Sequence, residues 1–557
     1  MELREWIVTL HKHEDLDDFY NDMETPGGNL FIPNRSVEVA NRRNTSRNTH
    51  YMLTYDEAML LKADDRVWDV ELAEIANLTT KPSGYTITNG QFNKSWSPIT
   101  GDSNHLNWGQ LRHKEAANIG NWGDNGTVQL TSTFTTTASG KHVDVLIVDG
   151  HVDPSHPEFA VNQDGTGGSR VVQYNWFQND IGFGTGTYTY TRSGSYTNSI
   201  DVDDNNHGCH VAGTVAGNKY GWARDAMIYN ISPYATNPNW GTLGLDSNTY
   251  WDYVRAWHNS KPINPVTGRR NPTVSNHSYG SIIPIGQSGF GFIKKIVYRG
   301  VTYDPGRDLT TAELQARGCY APTTSVLVPN YFTSRIADIQ DAINDGIIIV
   351  AAAGNEYWKT VNSSDQDYNN TYTFTYSGFD FTYPLHRGNG SAAGYAPVIN
   401  VGAMSNNFGE DKAVFSNCGS MVDVYAAGEA INSSLMTTGN YIGPDPRNNS
   451  YFVGKYQGTS MASPQVCGVV ALLAESWPSI TQAEAHAWIV DNAVDNLMLD
   501  TQTDNAMDVQ SLQGAPNKIL RWINQRVETG TTFPQKNFKS RPTSGITYPR
   551  TRIRRRG

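Results

Sequence analysis

Cysteine is scarce in this chain of 557 residues: Cys209, Cys319, Cys418 and Cys467 lie far apart, with no CxxC pair among them. That spacing excludes a disulfide scaffold and a thiolate zinc site. Charged residues make up only 17%, and no apolar run is long enough to span a bilayer. The start, Met1-Glu2-Leu3-Arg4-Glu5, lacks the basic and apolar regions of a secretory signal. The expectation is a chain without a membrane partner, acting in the cytoplasm or packaged in an assembled particle such as a virion. The charge is unevenly distributed between the C-terminus and the rest. From Lys536 onward there are eight Lys/Arg and no acid, so the remainder carries 35 basic against 54 acidic residues, a net of −19. A body this acidic argues against nucleic acid as a partner.

What is present is a loop-rich, aromatic composition, in a chain long enough for one large domain with accessories. Residues 5–72 read as strand, acidic helix, two strands, helix and strand, a βαββαβ order that suggests a small ferredoxin-like α+β module. Residues 73–106, rich in Thr, Ser, Asn, Gly and Pro, read as a linker or exposed loop. From residue 143 short continuous apolar strands alternate with helices: Val143–Val148, Met227–Ile231, Thr273–Asn276, Ile347–Ala353, Val398–Met404 and Val422–Ala426. Consecutive apolar positions imply burial on both faces, hence an α/β fold with a mostly parallel central sheet flanked by helices. Stretches 160–200, 236–271, 281–335 and 357–392 are longer than connections need and are expected to be irregular surface insertions. Residues 515–557 lack apolar periodicity and end in an arginine cluster, which reads as a disordered, solvated tail. The chain so divides into a module (1–75), a linker (76–106), a main domain (107–514) and a tail (515–557).

Four segments carry side chains suited to chemistry. In Gly458-Thr459-Ser460-Met461-Ala462-Ser463-Pro464 a serine among small residues precedes a proline and an apolar run, which reads as a helix start with an exposed hydroxyl. The first N–H groups of a helix have no intrahelical partner and can hold a developing oxyanion beside Ser460; an ordinary helix cap is the alternative. Asp149 stands at the carboxyl end of a strand, where sites collect in open α/β sheets. His207, in Asn206-His207-Gly208-Cys209-His210-Val211-Ala212-Gly213, opens a small-residue helix. With His210 it would also suit half a metal site, although no third ligand is near. Asn355, after Gly354, puts an amide at another strand end, or is simply a turn residue. Together these supply a nucleophile, a base, an orienting carboxylate and an oxyanion donor, the parts an acyl transfer needs.

The segments VLIVDG, HGCHVAG, AAAGNE and GTSMASP, in that order, resemble the signature segments of the subtilisin-like serine proteases. The resemblance implies a serine endopeptidase acting on peptide or protein substrates without a required cofactor. It makes Ser460 the nucleophile, His207 the general base and acid, Asp149 its orienting carboxylate, Asn355 the oxyanion donor and His210 structural. Asn276-His277-Ser278-Tyr279-Gly280 resembles the family's strand that pairs with an extended substrate, so Ser278, Tyr279 and Gly280 are expected to bind it. Ala352, Ala353 and Gly354 match the wall of the first specificity pocket. The N-terminal module resembles the family's inhibitory propeptide, notably in Trp6-Ile7-Val8 and Tyr51 to Leu72. That implies self-processing in the linker, the module serving as an inhibitor of its own chain. The alternative is a catalytically silent component of a larger assembly. Asp201, Asp203, Asp204 and Asn205 could offer oxygens to a structural calcium ion, or form a solvated acidic loop. Two departures stand out: Gly150 follows Asp149 where the family has Ser or Thr, and Cys209 replaces the usual Thr between the histidines.

Overall fold

A computed structural model describes residues 3–31, 38–42, 47–72, 83–96, 102–119, 130–176, 181–183, 186–188, 206–237, 241–245, 249–319, 323–388, 397–407, 409–438, 441–501 and 505–524. At the N-terminus β1 (Arg4–Leu10), α1 (Leu16–Glu24), β2 (Val39–Arg42), β3 (Asn48–Leu53), α2 (Tyr55–Leu61) and β4 (Val67–Leu72) follow one another. Their sheet order is β2-β3-β1-β4, antiparallel throughout, as in a split βαβ unit. Val8, Leu10, Phe19, Met23, Leu53 and Leu61 form its own core. Thr54 and Glu57 close a reciprocal capping box that fixes where α2 starts.

The expected linker is partly built into the body. Strand β5 (Thr86–Asn93) pairs with β6 (Leu130–Thr135), and Phe92 is fully buried in the main core. Its isolated apolar residues, Ile87 and Phe92, give too weak an alternation to stand out among Thr, Asn and Gly. The other parts of the linker, 73–82 and 97–101, lie outside the described residues.

The main sheet is nine-stranded among the described residues. Its strands are β7 (Asp144–Val148), β8 (Val171–Gln173), β9 (Met227–Ile231), β10 (Thr273–His277), β15 (Ile347–Ala352), β18 (Ile399–Met404), β19 (Val424–Ala427), β20 (Val494–Asp495) and β21 (Lys518–Ile519). The order is β20-β21-β19-β18-β15-β10-β7-β9-β8, parallel at every pairing but β20 with β21. Alternate residues of one strand feed two cores. Val145 and Ile147 pack with helices α3 (His207–Ala216) and α6 (Thr459–Ser476) on one face. Leu146 and Val148 pack with α4 (Thr249–Ser260) and α5 (Thr333–Asn344) on the other. A helix on both faces is what makes these strands apolar at every position, as the sequence implied.

Three expectations need correction. The stretch 236–271 holds α4, whose Trp251, Val254 and Trp257 recur at helical spacing and are buried. The stretches 281–335 and 357–392 are not irregular: β11 (Ile282–Ile285) pairs with β14 (Val326–Pro329), and β12 (Phe290–Tyr298), β13 (Val301–Tyr303), β16 (Thr371–Tyr376) and β17 (Phe379–Pro384) form a sheet of order β13-β12-β16-β17. Ile283, Ile285, Ile296, Val328, Tyr372 and Phe374 give this insertion a core of its own. The tail begins later than 515, because Ile519 pairs with Tyr425 and Leu520 and Trp522 are buried. The basic end from 525 lies outside the described residues. Among the described residues no helix is long and apolar enough to cross a membrane.

Candidate active site

The carboxyl ends of β7, β10 and β15 converge on the start of α6, as the open-sheet rule requires. Strand β7 carries Asp149 into a buried position, and the Asp149 N–H extends the pairing by donating to Ile231 O. Helix α3 starts at His207, its entry pinned by Asn206, whose Oδ1 accepts from the N–H groups of Met436 and Thr437. Gly208 is what lets the two elements meet: a Cβ there would lie 2.2 Å from Gly150 O. At that approach His207 Nδ1 donates to Asp149 Oδ1 at 2.7 Å. A carboxylate can only accept, so Nδ1 carries the proton and Nε2 is the basic nitrogen.

Asp149 Oδ1 also accepts from the Gly150 N–H at 2.7 Å, whereas the buried Oδ2 has no hydrogen-bond partner among the described residues. The second departure is inert: Cys209 is fully buried and burial pushes its thiol up, away from the thiolate needed for oxidation. His210 lies behind the site, its Nε2 2.8 Å from Ile431 O and its ring stacked on Tyr456, and burial lowers it to about 3, so it stays neutral. Among the described residues no group of three or more His, Cys, Asp or Glu is gathered for a metal ion. Asp201, Asp203, Asp204 and Asn205 lie outside them.

Ser460 is the second residue of α6 and only 9% exposed. The helix starts at Thr459, so Pro464 sits inside it rather than at its first position. Proline has no N–H, which leaves the Ser460 carbonyl without its ordinary i+4 donor. Ser278 Oγ takes that place, donating to Ser460 O at 3.0 Å, while Ser460 Oγ donates to Ser278 O at 3.0 Å. Behind them Ser463 Oγ donates to Asn276 Oδ1 and Asn276 Nδ2 to Ser278 Oγ. Helix α6 and the strand after β10 are thereby tied by hydrogen bonds in addition to the packing of Val274 in the shared core.

Asn355 follows Gly354, whose φ of +102° favours glycine. Its Oδ1 accepts from both N–H and Oγ1 of Thr459 at 2.9 Å. With the oxygen so held, the Nδ2 donor is the end left for a ligand, and the Ser460 N–H has no partner among the described residues. Ser278, Tyr279, Gly280, Ile282, Ala352, Gly354, Asn355, Glu356, Thr459 and Ser460 line a cavity of about 210 Å³. Ala353 does not: it is buried with Met404 and Val422 behind the wall. Two residues had no role in the sequence reading. Glu356 lines the cavity, and burial raises its carboxyl pKa. Asn417 fastens the whole loop, donating to Ala353 O and Glu356 Oε2 and accepting from the N–H groups of Glu356 and Trp358. Nothing in the local sequence of Asn417 signals this, because its partners lie about sixty positions away.

A serine at a buried helix start, a histidine oriented by a carboxylate and a peptide-sized cleft on a parallel sheet define the subtilisin-like class. The chain belongs to the subtilase family, whose model matches residues 140–515. It is 22% identical over 441 residues to the alkaline serine exoprotease A of Vibrio alginolyticus, covering 76% of this chain and 55% of that one. With subtilisin amylosacchariticus of Bacillus subtilis subsp. amylosacchariticus it shares 25% over 346 residues, 62% of this chain and 59% of the other. The chain thus spans little more than half the length of these two relatives. A solved structure, a cold adapted subtilisin-like serine proteinase, aligns with a TM-score of 0.42 at 20% identity over 75% of this chain and 98% of that one.

Proposed function

We propose that the chain is a serine endopeptidase. The observation that carries this is the His207–Asp149 contact of 2.7 Å beside a cleft that Ser460 and Asn355 share. A substrate backbone lies along Ser278–Gly280, with one side chain in the cavity. Ser460 Oγ attacks the carbonyl carbon as its proton passes to His207 Nε2. The oxyanion receives hydrogen bonds from Asn355 Nδ2 and the Ser460 N–H, donors set before the charge develops. The C–N bond then breaks, with the proton moving from His207 to the amine; water repeats the sequence to free the acid. Asp149 holds the imidazole tautomer throughout. The test is hydrolysis of an unstructured protein by Ser460→Ala and His207→Ala: both are expected to lose activity to a similar extent, about 10⁴-fold or more, because the groups act as a unit. Near-normal activity in His207→Ala would remove the base assignment.

We further propose that residues 5–72 inhibit their own chain and are released by a cut before residue 83, since β5 onward is held in the body. An extended segment leaving β4 can present its backbone to the same strand edge. N-termini of the unaltered chain and of Ser460→Ala are expected to differ. Both starting at residue 1 or 2, with the unaltered chain still hydrolysing peptides, would refute a maturation cut.

A further inference from the structure

The sheet of the insertion ends in strand β17, which pairs only with β16, and Phe379, Asp380, Phe381 and Thr382 of β17 are all exposed. The hairpin joining the two strands turns on Ser377 and Gly378, with φ of +49° and +82°, and pairs Tyr376 with Phe379. Positive φ at both central residues makes a tight two-residue turn whose flanking residues exchange both backbone hydrogen bonds. Pairing alternates from there: Phe379, Phe381 and Tyr383 point their N–H and C=O groups at β16, while Asp380 and Thr382 point theirs outwards. Those outward groups have no partner among the described residues. Edges are ordinarily guarded by a free charge, a proline or a bulge. Here the one charge, Asp380, is already engaged by Lys294 at 2.5 Å and Thr375 Oγ1 at 2.9 Å, and Pro384 comes only at the strand's end. The aromatic row of the insertion core, Tyr372 and Phe374, runs on past that core as Tyr376, Phe379 and Phe381, which are 40%, 71% and 37% exposed.

We propose that β17 pairs with β17 of a second copy of this chain, antiparallel about a two-fold axis at Phe381. The strand's own pattern selects both the occupant and the register. Only residues with outward groups can be hydrogen-bonded partners across the new junction. Asp380 against Asp380 would set like charges directly opposite each other, which is destabilising. Thr382 against Thr382 would set Asp380 against Pro384, which has no N–H to give. Asp380 against Thr382 avoids both, and each such pair exchanges its two backbone hydrogen bonds. In that register Phe381 meets Phe381 of the second copy and Phe379 meets its Tyr383, so the aromatic row continues across the junction and covers side chains that otherwise stand in water. A contact that uses the same strand on both copies closes at two.

The test uses full-length Ser460→Ala, so that the chain stays whole, in sedimentation velocity up to about 100 μM. A monomer–dimer equilibrium is expected. Thr382→Pro removes an outward N–H that β16 does not use and is expected to raise the dissociation constant about tenfold or more. Phe379→Lys, which alters no backbone group, is expected to weaken the dimer as well. The register is read by cysteine substitution, since the four native cysteines are buried. On oxidation Phe381→Cys is expected to give a disulfide-linked dimer, and Phe379→Cys, placed opposite Tyr383 of the second copy, none. A monomer at every concentration overturns the proposal, as does a dimer that neither Thr382→Pro nor Phe379→Lys weakens. Equal cross-linking of the two cysteine variants overturns the register, and species larger than a dimer overturn the two-fold pairing in favour of head-to-tail contact with the other edge, β13.

Discussion

Strand β10 and the β11/β14 ribbon that follows it are neighbours in the chain built on opposite rules. In and just beyond β10 polar side chains engage one another: Ser275 Oγ lies 2.8 Å from His277 Nε2, His277 Nδ1 2.8 Å from the Tyr279 hydroxyl, and Asn276 and Ser278 tie to α6. In the ribbon both faces are apolar, and on one of them Ile282 and Leu327 are exposed. Buried polar networks leave each member few positions to occupy, which suits groups that must meet at fixed distance. An exposed apolar face tolerates many partners, which suits recognition of varied sequence. The two segments thus differ in what they leave open: the first fixes β10 against α6, and the second leaves Ile282 and Leu327 exposed.

The largest break in that comparison is expected from Gly208→Ala. The new Cβ has 2.2 Å to Gly150 O and cannot be accommodated without moving α3 from β7. Peptide hydrolysis should fall about 10³-fold or more while the insertion stays folded, because His207 loses its carboxylate. Full activity in this variant would show that the close approach is dispensable. Phe374→Ala sharpens the comparison from the other side. Phe374 is buried in the insertion between Phe290, Tyr372, Phe381 and Tyr383, and its removal should destabilise that unit by ~3–5 kcal/mol. Hydrolysis of a dipeptide-sized ester should change by no more than about twofold, and loss of that activity would mean that the insertion holds the chemistry too.

The smallest effect is expected from acid, which acts on both regions, because burial also lowers His386 in the insertion, to about 4. His113, His210 and His277 belong to the main domain and burial holds each near 3, so they are neutral when folded and bind protons only when unfolded. Lowered histidines contribute stability that is full above the unfolded value of about 6.5 and drains away as pH falls towards about 3. The stability of the main domain against chemical denaturation should therefore fall below about pH 6.5, by up to ~1.4 kcal/mol per pH unit for each histidine. A flat profile between pH 6 and 4 would mean that these rings are charged in the folded state.

The same contrast explains what could be read in advance. Asp149, His207, Asn355 and Ser460 each lie in a short contiguous segment whose small residues and strand or helix end are visible locally, and the strands buried on both faces announce the parallel sheet. Asn417 and the ribbon were illegible for one reason: their meaning lies in pairings such as Ile282 with Pro329, which no local pattern encodes. The edge strands β8 and β20 were missed because three and two residues carry no period.

The central claim, that Ser460 is an activated nucleophile, is tested most directly by a fluorophosphonate probe followed by peptide mapping. The account predicts a single adduct on Ser460 of the folded, processed chain, absent in Ser460→Ala and strongly reduced in His207→Ala. A folded sample that takes up no probe at Ser460 would contradict it.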